Sequence, residues 1–177
     1  MSSAVIVNII RFILLILAQV AIFNKINFLG FINPYPYILF IILYPVNGNK
    51  NGLLLASFLL GITMDMFSNS GGVHAAACVI LAYLRPSFFK FSFGLSYEYQ
   101  TVKINERLTP ERFSFILISV LTHHIILFLL EIFRFSFFWN ILLRTVLSTI
   151  FTLALCILLI YLFKPSKKIW EKLFYPL

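Results

Sequence analysis

The chain has 177 residues, of which 61% are hydrophobic, 18% aromatic and only 11% charged, with a net charge of +8. A soluble domain of this length has no use for so much apolar surface, so the composition specifies an all-α integral membrane protein and leaves no length for a separate soluble domain. The basic residues flank apolar runs instead of clustering on one polar face, which argues for membrane topology and against nucleic acid as a partner.

In chain order, the hydropathy predicts about six transmembrane helices in a single domain, residues 1–177. The first span covers residues 4–23 and is retained, because Arg11 interrupts the apolar run and no small-x-small cleavage site follows it. Arg11 lies close enough to the amino-terminal interface to snorkel or to bond a backbone carbonyl, and Gln19 suits an interhelical hydrogen bond. The second span, 29–46, is punctuated by Pro34, Pro36 and Pro45, which restricts regular helix to about residues 37–44. Residues 47–52 read as a turn.

Spans three and four, residues 53–67 and 73–84, form a hairpin with a Ser/Gly turn between them. Arg85 and Pro86 are expected to end the fourth span and to open a hydrophilic loop, 85–112, in which Arg85, Lys90, Lys103 and Arg107 are candidate cytoplasmic contacts. The aromatic stretch 87–95 suits the headgroup level, and the following run 96–104 alternates in a way compatible with extended chain. Spans five and six cover 113–133 and 137–163, and the tail 164–177 reads as a short amphipathic helix lying on the membrane. Basic residues gather on the side that carries Lys50, the 85–112 loop and the tail, whereas the other side has only Lys25 and Arg134. The first side is therefore expected to be cytoplasmic, with both termini inside and the hairpin turn outside.

Three polar constellations interrupt the apolar spans. Gly61 and Asp65 share a helix face, and Gly72, His74 and Ala76 follow the turn, so an acid and an imidazole meet at one membrane face beside residues small enough for close packing. Asp65, Ser68, Ser70 and His74 include the parts of a nucleophilic triad, but no oxyanion-donor scaffold accompanies them; a structural pair closing the hairpin and a partner-contact surface are the readings that remain. His123 and His124 point about 100° apart on a helix, which suits hydrogen bonds to neighbouring helices better than one shared metal ion. Glu131, Arg134 and Arg144 lie toward the same end as Asp65. Arg144, about 9 Å inside its span, requires a carboxylate, and Glu131 or Asp65 is the expected partner. Cys78 and Cys156 serve as small hydrophobes, and no metal or cofactor motif is present.

The hairpin pattern of Gly61, Asp65, Ser68, Gly72, His74, Ala75, Ala82, Tyr83 and Leu84, with the Pro-Tyr-Pro-Tyr run at 34–37, resembles the rod shape-determining protein MreD family. The resemblance implies a fold similar to the substrate-binding components of energy-coupling-factor transporters. It also implies a non-catalytic subunit of the rod or elongation complex in the bacterial cytoplasmic (inner) membrane, working beside an MreC-like protein and, indirectly, MreB, RodA and a transpeptidase penicillin-binding protein. No catalytic residue comes with it. The expected function is to scaffold or regulate lateral peptidoglycan synthesis and cell shape; a vitamin-like uptake component is the alternative, which the similar fold permits.

Overall fold

The computed structural model describes residues 3–28, 32–46, 48–94, 108–132 and 138–162. Lys103, Arg107, Arg134, the 96–104 run and the 164–177 tail lie outside the described residues. The described chain is helical, without a strand beyond one isolated bridge between Phe28 and Ile32. Among the described residues, five helices are long and apolar enough to cross a membrane: α1 (Ser3–Ala21), α3 (Lys50–Ser68), α4 (Val73–Phe93), α5 (Pro110–Ile132) and α6 (Phe138–Leu162). The chain is a multi-pass membrane protein of the all-α class.

Five replaces the expected six because the second span contains no long helix. Residues 32–46 hold only a 3₁₀ turn, Pro36–Ile38, and one turn of α-helix, α2 (Leu39–Ile42). Pro34 and Pro36 remove amide donors before this helix begins and Pro45 removes one just after it. The segment nevertheless runs lengthwise through the bundle. The Gln19 amide donates to the Pro34 carbonyl at 2.9 Å, and the Arg11 guanidinium donates to the Leu43 carbonyl at 3.1 Å. Those two partners are eight residues apart on α1, about 12 Å of helix. Irregular backbone at membrane depth is tolerated only inside protein, and Tyr37, Ile38 and Ile41 are each 0% exposed. Phe12 of α1 meets Phe40 edge-on at 5.2 Å, and Thr152 of α6 accepts the Tyr35 amide at 3.0 Å.

Two arginines finish α2. The carbonyls at and just past the end of the helix have no helical amide to accept from, and Arg85 donates to those of Ile42 and Tyr44 while Arg11 takes that of Leu43. Cations at a helix C-terminus also complement its dipole. Arg85, expected at the mouth of a cytoplasmic loop, is thus a buried part of the fold, and its guanidinium covers the Phe89 ring at 4.7 Å.

The remaining helices pack in sequence as antiparallel neighbours, α3 on α4, α4 on α5 and α5 on α6. Asn49 starts α3 three residues before the expected boundary by accepting the amides of Asn51 and Gly52. The expected stop at Pro86 is overturned, since α4 continues through that proline to Phe93. A proline there sacrifices one amide bond, and aromatic packing of Phe89 against Phe115, 4.1 Å between ring centroids, holds the extra turns in place. Helix α1 is the least embedded, with Ile9, Ile13 and Leu17 exposed along it.

Candidate functional site

At the end of the bundle that carries the α3–α4 turn, polar side chains converge from the five long helices and from residues 33–37. The turn itself needs left-handed backbone: Asn69 has φ 52°, and Gly71 and Gly72 have φ 65° and 99°. With glycine as its N-cap, α4 has no capping side chain of its own. Asp65 supplies one from α3. Its Oδ1 accepts the His74 amide and its Oδ2 the Ala75 amide, both at 2.9 Å, and Oδ1 also accepts the Ser70 hydroxyl at 2.6 Å. These are the second and third amides of α4, the donors an N-cap normally satisfies, and the negative charge sits at the positive end of the helix dipole. The carboxylate is thereby spent, so of the two partners expected for Arg144, Asp65 is not the one that pairs. Arg144 instead reaches Glu131 at 3.6 Å.

Gly61 fixes how closely the two helices approach. A Cβ at this position would lie 2.6 Å from both the Ala75 nitrogen and the His74 carbonyl oxygen, so main chain packs against main chain. Close approach through small residues is a common device in membranes. Here it is satisfied within the chain, and Gly61, Asp65 and His74, expected as partner contacts, are buried between α3 and α4. Gly72 and Ala76 remain half-buried, and Lys90 is exposed.

The His74 ring turns inward. Its Nδ1 lies 2.7 Å from the Tyr37 hydroxyl, which lies 2.9 Å from Nε2 of His123. One hydroxyl donates once, so Tyr37 donates to one imidazole and accepts from the other. His123 Nδ1 is buried without a partner. An orphaned N–H is rarer and costlier than an under-used acceptor, which favours the tautomer with the His123 proton on Nε2. Tyr37 then donates to His74 Nδ1, and the remaining His74 proton sits on Nε2. The neighbouring chain has a fixed polarity as well. His124 Nδ1 donates to the Val120 carbonyl at 2.7 Å, leaving Nε2 to accept from the Thr152 hydroxyl at 3.2 Å, which in turn accepts the Tyr35 amide. The two adjacent histidines thus serve different neighbours, the proline-broken segment and α6.

Above this network opens a cavity of about 270 Å³, lined by Asn24, Asn33, Tyr35, Ser70, His74 and Glu131 among others. Its walls offer carbonyl, hydroxyl and carboxylate acceptors together with amide and imidazole donors. Among the described residues, no hydrogen bond joins the His74 ring to Ser68 or Ser70, so the triad parts are not wired as one, and no group of three His, Cys, Asp or Glu side chains is placed to hold a metal ion. Tyr37, Tyr35 and Thr152 were not identified as site residues from the sequence. The signal that points to Tyr35 and Tyr37 is a polar group inside an apolar run at a proline break, and for Thr152 it is a hydroxyl in the apolar run of α6. Compared with known proteins, the chain matches no family model, and neither curated proteins nor solved structures give a match.

Proposed function

We propose that the chain is a non-catalytic membrane subunit of the rod or elongation complex, of the MreD type, which scaffolds or regulates lateral peptidoglycan synthesis. The observation that carries this reading is the interlock of the hairpin: Gly61, Asp65 and His74, which carry the resemblance, each meet a geometric demand of the fold. A scaffold of this kind works by holding shape. Lys50, Arg85, Lys90 and Arg112 gather at one end of the bundle and Lys25 and Arg144 at the other, which supports a cytoplasmic location for the first end and for both termini. The partner of choice is an MreC-like protein, with MreB, RodA and a transpeptidase penicillin-binding protein engaged through it.

Depleting the protein in a rod-shaped bacterial host tests the proposal. Rounding of the cells, with loss of an MreC-like protein from pull-downs of the remaining complex, is expected; unchanged rod shape and width under full depletion refute it. The cavity at the Asp65 end favours one alternative, a vitamin-like uptake component with the similar fold of energy-coupling-factor substrate-binding subunits. Co-purification with a pair of ATPases, and growth dependence on an external vitamin in place of a shape defect, would select that alternative.

A further inference from the structure

At the end of the molecule away from the cavity, an apolar groove of about 210 Å³ lies between α1, α2 and α6. Ile10, Leu14, Leu39, Leu43 and Ile160 line it, and Arg11 supplies its one charge. We propose that the groove holds part of one acyl chain of an anionic phospholipid whose phosphate is bound by Arg11.

The shape suits a chain segment. The volume falls below the roughly 300–1,000 Å³ of pockets that enclose a drug-sized molecule, and Ile10 and Leu14 are 50% and 55% exposed, so the groove opens sideways along the helix surface that faces lipid. Charge complementarity supplies the headgroup. Arg11 uses Nη1 for Asn8 Oδ1 at 3.3 Å and for the Leu43 carbonyl at 3.1 Å. Among the described residues it has no carboxylate partner, so Nη2 and Nε remain as a planar fork that matches phosphate oxygens. Arg85 has no such freedom, being 5% exposed.

The level is also right for a headgroup. Arg11 and Arg85 bond the carbonyls of residues 42–44, next to the start of α3 at Lys50, so the polar end of the groove coincides with the basic end of the bundle. Arginines near a helix end extend toward the interface, and a basic pocket between transmembrane helices is the usual recognition element for an anionic headgroup.

Native mass spectrometry of the full chain in neutral detergent, titrated with phosphatidylglycerol or phosphatidylcholine of identical chains, tests the proposal. One phosphatidylglycerol is expected to be retained in preference, by about tenfold or more, as one charge-assisted contact implies. Leu14→Trp, which fills the groove and leaves Arg11 in place, is expected to abolish retention, and Arg11→Gln to abolish the preference. Equal retention of the two lipids by the wild type, or unchanged retention by the Leu14→Trp variant, overturns the assignment. So does sn-glycerol 3-phosphate binding as tightly as the lipid, which would make this a phosphate site without a role for the groove. If Arg11→Gln does not fold, Leu14→Trp decides alone.

Discussion

Replacing Asp65 by asparagine separates a helix cap from an ion pair. The carboxylate accepts three hydrogen bonds, two at Oδ1 and one at Oδ2, from Ser70, His74 and Ala75. An asparagine keeps the pair at one oxygen, at neutral strength, and turns its NH₂ toward the Ala75 amide, donor against donor. A buried amide left unsatisfied costs about 1–3 kcal/mol, and removing negative charge from a helix N-terminus costs roughly 0.3–1 kcal/mol more. Asp65→Asn is therefore expected to destabilise the protein by about 1–4 kcal/mol, read as the shift in reversible unfolding by SDS in mixed micelles.

The cycle with Arg144→Gln decides the cause. Arg144 is committed to Glu131, so the effects of Asp65→Asn and Arg144→Gln should add, with coupling below about 0.5 kcal/mol. Recovery of 1 kcal/mol or more in the double variant would mean that Asp65 and Arg144 neutralise one another, and would refute the cap as the reason for the acid.

Gly61→Ala places a methyl against the Ala75 nitrogen and the His74 carbonyl; it is expected to cost about 1–3 kcal/mol or more in the same assay, and Ala75→Gly should not rescue it because the obstruction is main chain. Tyr37→Phe strips the bridge between His74 and His123. With membrane hydrogen bonds averaging about 0.6 kcal/mol and a stranded buried group costing up to about 3, a loss of roughly 1–4 kcal/mol is expected, and a neutral result would discard the bridge as a stabilising element. A double-mutant cycle on Glu131 and Arg144, half-exposed side chains, should give only about 0.2–1 kcal/mol and should shrink in high salt.

The class of the fold was legible because apolar composition and span length are properties of the chain alone. The second passage was legible in part. Three prolines forecast a short helix, yet hydropathy counted a full span, because Leu39, Phe40, Ile41 and Ile42 are as apolar as lipid-facing residues while being buried in protein. The opposite error occurred at Pro86. A proline stops a helix only where nothing else holds the chain, and the ring packing of Phe89 on Phe115, residues 26 apart in sequence, is not visible to local rules.

The site divides along the same line between local and distant partners. That Arg144 needs a carboxylate follows from its depth, which leaves Glu131 and Asp65 as candidates; the structure selects Glu131. Tyr37 between His74 and His123 does not follow locally, since its partners are 37 and 86 residues away. The hairpin is the instructive case. A glycine, an acid and small residues in an apolar pair of helices advertise close packing, and the sequence does not say whether the helix to be packed is a partner's or the chain's own. Gly61 resolves the matter, because the space its missing side chain leaves is taken by the backbone of Ala75. With Gly61, Asp65 and His74 consumed by the fold, the proposed contact with another subunit falls to side chains the fold leaves free. On this hairpin those are large and apolar, Leu55, Phe58, Met66 and Tyr83 among them. Bulk-reducing substitutions there, such as Phe58→Ala with Met66→Ala, should weaken recovery of an MreC-like partner while leaving SDS unfolding within about 0.5 kcal/mol of wild type, as expected for exposed positions. Unchanged recovery would move the partner surface off the hairpin altogether.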